Sequence, residues 1–237
     1  MKIPLHPGIS EDALFYSAEI AMDGPMIDSY RGWYDLLGHE GFVWGAGNPD
    51  KAKVLILGEA PGYQEEYTGV PFIGPAGVVL SSVLHASGID RVNDCFIINT
   101  IANTPAKDAK GRIGKPTTND VCRQWDRVVE VHDILIPNLK AVVLMGGYAY
   151  GQVALQDDLR TASNCSREFN FAGVAISRYL GWHLDGFPRN KECFDLPFLV
   201  TYHPSFIMRT AYDKSKSQVK KDFLRSFKEL SAIIHRS

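Results

Sequence analysis

"KVLILGEAPGYQEEYTGVPFIGPAG", residues 53–77, begins as an almost unbroken apolar run and ends in a glycine at the head of a helical pattern. Apolar residues at successive rather than alternate positions suit a strand covered on both faces, as in a parallel sheet. Between strand and helix lie Gly58, Gly62, Gly69 and Gly74 with Pro61, Pro71 and Pro75. Such a loop is stiff, and its backbone can approach a ligand closely. The helical pattern "AGVVLSSVLHASG" then runs to Gly88. A strand, a glycine-rich turn and a helix make the first unit of an alternating fold.

The rest of the chain repeats this alternation. "AKVLILG" (52–58), "DCFIINT" (94–100), "KAVVLMG" (140–146) and "PFLVTYH" (197–203) read as four buried strands. Helical patterns lie between and after them: "TNDVCRQWDRVVEVHDIL" with Thr118 or Asn119 as its N-cap, "YAYGQVAL", and the C-terminal "SQVKKDFLRSFKELSAII". The expectation is a three-layer α/β/α sandwich with a central four-stranded, mostly parallel sheet. It forms one domain over residues 1–237, with residues 1–50 as an N-terminal extension packed on it.

In open α/β sheets ligands bind beyond the carboxyl ends of the strands. "GEAPG" follows the first strand, Asn99 and "ANTPAKDAKGRIGKPTT" the second, "GGY" the third, and "TYHPSFIMR" closes the fourth. No GxxxxGK[ST] occurs, which argues against a nucleoside-triphosphate loop. Glu59 is placed either to enter the crevice or to cap its own loop, and Phe72 is either a stacking wall or plain core. Asn99 carries a donor and an acceptor, so it reads a pyrimidine edge or satisfies a loop. In His203-Pro204-Ser205 the proline stiffens the turn and aims imidazole and hydroxyl outward. "FIMR" (206–209) reads as a surface loop with apolar side chains beside a cation, suited to entering a base stack.

The chain of 237 residues is 45% hydrophobic, enough for a sizeable core, with net charge −2 and pI near 6.4. That balance argues against strong nonspecific binding to polyanions, although residues 212–228 are locally basic. The basic segment reads as the solvated face of a helix. No apolar run long enough to span a membrane and no signal-peptide pattern is present, so a soluble, cytoplasmic protein is expected. Cys95, Cys122, Cys165 and Cys193 form no CxxC pair, and read as reduced, structural thiols.

"GEAPGYQEEYTGVPFIGPAG", Asn99 after its strand, and "YHPSFIMR" together resemble the uracil-DNA glycosylase superfamily, and within it family 4. The likeness runs from about Lys51 to the C-terminal helix. It implies a monofunctional DNA glycosylase that hydrolyses the N-glycosidic bond of a flipped uracil, working as a nucleoid-associated monomer on DNA. By the same likeness Glu59 places water or stabilises the sugar cation, Phe72 stacks on the base, and Ala60, Glu65 and Asn99 bind it. His203 then stabilises charge on O2 of the leaving base. Gly62, Pro204, Ser205 and Arg209 meet the DNA backbone, and Phe206, Ile207 and Met208 form the wedge. Lys107, Lys110, Arg112 and Lys115 are available for phosphates. Two departures stand out. The family usually holds a four-cysteine iron–sulfur cluster; here Asn103 stands near a ligand position and only Cys122 fits one, so no cofactor and no metal are expected. Gly114 stands where a covalently trapping branch has histidine, so no stable adduct is expected. A modified or hypermodified pyrimidine, as in phage DNA or anti-phage defence, is the alternative substrate. A non-catalytic DNA-binding relative is the alternative of another class.

Overall fold

The computed structural model describes residues 42–43, 45–135, 137–154, 176–184, 195–210 and 213–236. Tyr30, Trp33, Tyr34 and Trp44, as well as Cys165 and Cys193, lie outside the described residues, and so does most of the expected N-terminal extension.

The sheet is built from β1 (Ala46–Gly47), β2 (Val54–Gly58), β3 (Cys95–Asn99), β4 (Ala141–Met145), β5 (Gly181–His183) and β6 (Phe198–Thr201). Its order is β1-β3-β2-β4-β6-β5. The four strands expected from the sequence form the parallel centre, β3-β2-β4-β6. The expected four-stranded sheet is thus extended to six by β1 and β5, both antiparallel at the edges. Each is only two or three residues long, too short to carry a period.

Alternation along the strands divides the core. Leu55 and Leu57 of β2, with Phe96, Leu144 and Val200, face α4 (Trp125–Leu135) and α5 (Gly146–Ala154) through Val128, Leu135 and Val153. Val54 and Ile56, with Ile97, Val143 and Leu199, face α2 (Pro75–Ala86), α6 (Pro204–Arg209) and α7 (Ser217–Ile234) through Leu80, Leu84, Ile207 and Phe227. Both faces of the central strands are therefore dry, the reason they read as continuous apolar runs. α7 turns Phe223, Phe227, Leu230 and Ile234 inward, while Arg225 pairs with Asp222 and Glu229 outside, as the solvated-face reading expects.

Three local expectations are corrected. The N-cap of α3 (Thr118–Arg123) is Thr117, whose hydroxyl accepts from Asp120 N while Asp120 accepts from Thr117 N. Thr118 is instead the first helical residue. The long helical pattern breaks at Gln124, whose buried side chain accepts from Ala102 N at 2.6 Å and donates to Asn103 Oδ1 at 2.6 Å. The stretch holding Glu65 is not all loop, because Tyr63–Thr68 forms the short helix α1, closed by Gly69 at φ 72°.

Adjacent strands β2 and β4 leave the sheet toward opposite faces, β2 into α2 and β4 into α5. A crevice opens where neighbouring strands diverge in this way. Gly58, Asn99, Gly146 and His203 all stand at the carboxyl ends around it.

Candidate active site

A cavity of about 460 Å³ opens at this edge, lined by Ala60, Gly62, Gln64, Glu65, Phe72, Asn99, His203 and Met208 among others. The size suits a small planar ligand (roughly 300–1,000 Å³ is usual).

Phe72 holds one wall. Its φ of 56° is the left-handed region, costly for a side chain with a Cβ, and it is the one non-glycine described residue there. The neighbours enforce it. Arg91 Nη2 donates to the carbonyls of Pro71 (3.1 Å) and Phe72 (3.0 Å), and Nη1 to Ser81 Oγ. A Cβ on Gly77 would lie 1.8 Å from Phe72 O, so only glycine lets that carbonyl sit where it does. Desolvation lowers the Arg91 pKa to about 10, still far above neutrality, so the clamp stays charged.

Glu65 turns inward from α1. Its Oε1 accepts from Ile73 N (3.1 Å) and Gly74 N (2.8 Å), and its Oε2 from Gly62 N (3.2 Å). The residue lines the cavity, but its carboxylate, expected at the base, is occupied in tying the two ends of the glycine loop together. Ala60 lines the cavity and packs toward Ile101 and Tyr148.

Asn99 ends β3 inside the cavity, its backbone oxygen gripped by the buried Arg127, Nη2 donating at 2.5 Å. Its Oδ1 is buried and meets no protein donor among the described residues. A Cβ on Gly58 would stand 2.5 Å from that oxygen and 2.4 Å from Phe72 Cζ. Gly58 is therefore the floor on which both side chains rest.

His203 caps α6. Its Nδ1 accepts from Ser205 N (3.2 Å) and lies 2.9 Å from Ser205 Oγ. A backbone N–H can only donate, so Nδ1 is the bare nitrogen and Nε2 carries the proton. Nε2 is buried and has no hydrogen-bond partner among the described residues. It is a neutral donor waiting for an acceptor in a cavity that His203 helps to line. Burial lowers the His203 pKa to about 4; Glu59 opposes that shift, while Lys115 and Arg209 add to it. Gly146, at φ 89°, gives the ring its backing, since a Cβ there would come within 3.2 Å of His203 Cβ.

This depressed pKa has a stability consequence. Between about pH 6.5, the ordinary histidine value, and about pH 4 the unfolded chain binds a proton at His203 that the folded chain refuses. The contribution is fully present above pH 6.5 and lost as pH falls toward 4. The variant His203→Gln is expected to show a flatter decline of its urea midpoint between pH 7 and 4.5 than the wild type; parallel declines would contradict the burial of a neutral imidazole.

Glu59 stands at the rim rather than in the cavity wall. Lys115 Nζ lies 2.6 Å from its Oε1 and 6.0 Å from the Tyr148 ring centroid. Burial, with the charge of Glu59 added, pushes the Tyr148 hydroxyl pKa up to about 12. Lys115, expected at a phosphate, is thus engaged with the acid. Arg112 likewise pairs with Asp108 at 2.7 Å across the loop, and Lys110 is exposed at the tip.

"FIMR" is not a surface loop. Pro204–Arg209 forms α6, with Pro204 at its first position. Ile207 is 8% exposed and sits in the core, so its assignment to the wedge is corrected: the helical turn points it inward. Phe206 is half-buried and stacked on Tyr202, leaving Met208 (40% exposed) at the cavity mouth. Arg209 Nη1 reaches Ser205 Oγ at 3.4 Å.

With this geometry in place, a sequence model of the uracil DNA glycosylase superfamily matches residues 44–228. The chain belongs to that superfamily. Its relatives include proteins named type-4 uracil-DNA glycosylase. That of Archaeoglobus fulgidus is 33% identical over 192 residues, covering 81% of each chain. That of Saccharolobus solfataricus is 40% identical over 188 residues (79% of this chain, 74% of the relative). The Thermotoga maritima protein is 27% identical over 191 residues, 76% of this chain and 84% of its own.

Among the described residues no ligand set fits the iron–sulfur cluster usual in family 4. Cys95 is buried in β3, where desolvation pushes its thiol pKa up, away from the thiolate a cluster requires. Asn103 has no thiol, and its amide oxygen is taken by Gln124. Among the described residues no group of three or more His, Cys, Asp or Glu side chains is placed to hold a metal ion.

Sequence reasoning missed Arg91, Arg127 and the Lys115–Glu59 pair. Arg127 had a signal: it is four residues before Val131, on the inward face of an apolar helix pattern. Arg91, in a loop between helix and strand, had none.

Proposed function

We propose that the protein is a monofunctional DNA glycosylase that removes uracil from DNA and leaves an abasic site. The observation that carries this is the protonated Nε2 of neutral His203, sharing one cavity with Phe72 and Oδ1 of Asn99, neither polar atom having a partner among the described residues. The flipped base lies along the Phe72 ring with its polar edge at Asn99. His203 Nε2–H then meets O2. As the N1–C1′ bond breaks, its electron pair stays with the base, and the donor stabilises the anion building at O2. Glu59 compensates the positive charge on the sugar, Lys115 holding its carboxylate. Water adds to C1′ and loses a proton, and the departing base takes one up. Ser205, Arg209 and Met208, with Gly62, Phe206, Lys110 and Arg112 around them, face the flanking DNA; Pro204, expected there from the sequence, is buried at the first position of α6 and instead stiffens the turn that presents Ser205.

This reading needs no covalent step. Gly114 has no nucleophile, and a Cβ there would stand 2.6 Å from Ala106 O. It takes the chain to act as a monomer on intracellular DNA, residues 1–50 packing on the glycosylase domain. Two contacts support that packing: Val43 N donates to Ala102 O, and β1 pairs with β3. No described helix is long and apolar enough to cross a membrane.

The test is single-turnover cleavage, after alkali, of labelled oligonucleotides carrying uracil or 5-substituted pyrimidines, single-stranded and paired. Strand breakage at uracil supports the reading. Silence at uracil with breakage at a bulky 5-substituted base would keep the mechanism and replace the substrate. Silence throughout would leave a DNA-binding relative. A more local check is Gly58→Ala, whose methyl must displace Phe72 or Asn99. The uracil rate is expected to fall by about 10²-fold with folding retained, as for any roughly 1 Å misplacement of reacting groups; an unaltered rate would show that these side chains do not meet the base.

A further inference from the structure

α1 turns two faces in opposite directions. Glu65 is buried and fastened to three backbone amides, whereas Tyr63 (54% exposed) and Tyr67 (72% exposed), four residues apart, lie together on the outer side. Large aromatics left in water gain nothing for the fold, and a pair on a rigid short helix is expensive to keep unless something covers it. Two observations say what does. Tyr63 also lines the cavity, so the aromatic surface is continuous with the place where the flipped base goes. Cations gather beside it: Lys107 Nζ sits 5.3 Å from the Tyr63 ring centroid, and the Tyr63 hydroxyl donates to Gly111 O, holding the turn that carries Lys110 and Arg112 against the helix. Lys107 itself is paired only loosely, at 3.4 Å from Glu66.

Flat aromatic faces beside cations, leading into a base pocket, match unpaired nucleotides: bases stack on rings, and phosphates meet the ammonium groups. A duplex offers no free base faces there. We propose that Tyr67 and Tyr63 form a stacking surface for the unpaired bases that flank the flipped nucleotide, with Lys107 at their phosphate, so that single-stranded DNA is the preferred form of the substrate. This deepens the glycosylase reading and rests on it.

The test uses the full chain and an oligonucleotide with a 2′-fluorinated deoxyuridine, which resists cleavage, next to 2-aminopurine. Binding to the single strand should quench the 2-aminopurine fluorescence in the wild type. Tyr67→Ala should abolish the quenching and raise Kd for the single strand by about 5- to 150-fold, the usual worth of one stacked base. Tyr67→Phe should restore both, and the loss on the same site in a full duplex should be smaller. Lys107→Met should lower the slope of log Kd against log salt by about one. Unchanged single-strand binding by Tyr67→Ala, or equal losses on single strand and duplex, would overturn the proposal. Because these readouts need no cleavage, a wild type that binds and quenches but leaves plain uracil intact would count against the glycosylase reading instead.

Discussion

His203→Ala is expected to slow single-turnover uracil excision by about 10²–10³-fold, the range seen when one donor to a developing oxyanion is removed. The affinity for an uncleavable uracil oligonucleotide should change far less. On the proposed mechanism the difference arises because Nε2–H faces a carbonyl oxygen in the ground state and a nearly full negative charge as the glycosidic bond breaks. The donor is prepared in advance: Ser205 N fixes the tautomer, Gly146 backs the ring, and burial keeps the imidazole neutral. Nothing must reorganise when charge appears. A rate and an affinity that fall together would make His203 a binding residue and remove it from the chemistry.

Asn99→Asp is the second large effect. Uracil presents a donor at N3 and an acceptor at O4, which an amide can match at both atoms. A carboxylate offers only acceptors, so it faces O4 unpaired in a buried place. Leaving one such group unsatisfied costs about 1–3 kcal/mol, so the uracil rate should drop roughly 5- to 150-fold. Cytosine, with a donor at that position, should lose less, and the uracil-to-cytosine ratio measured in single-stranded oligonucleotides should narrow. A ratio equal to the wild type would mean that Asn99 serves the loop and not the base. Arg127, which grips the Asn99 carbonyl, keeps the backbone in register in the variant, so the change reports on the side chain.

Most of the fold was legible because the central strands are buried on both sides. "VLIL", "FII", "VVLM" and "FLV" have no alternative to a dry parallel sheet, and the residues at their carboxyl ends then fall into one crevice. Glu59, Phe72, Asn99 and His203 could be named on that ground and on the likeness of their motifs. The edges of the sheet could not, because a strand of two residues is made by its neighbour. For the same reason "FIMR" was misread: as a string it is three apolar residues and a cation, and only the proline-started helical turn decides that Ile207 goes in and Met208 out.

What the sequence by itself determined is the set of chemical groups and their order: four strand ends, a neutral amide, an imidazole, an acid and an aromatic ring. Their working state was decided in three dimensions. Burial and one backbone N–H make His203 a neutral donor at Nε2. Lys115, fifty-six residues from Glu59, takes up the acid that seemed free. Arg91 and Gly77 hold Phe72 in a backbone conformation that no local preference would choose. These are long-range contacts in a medium of low polarity, where a single partner sets protonation and orientation. Spacing along the chain carries no record of such partners.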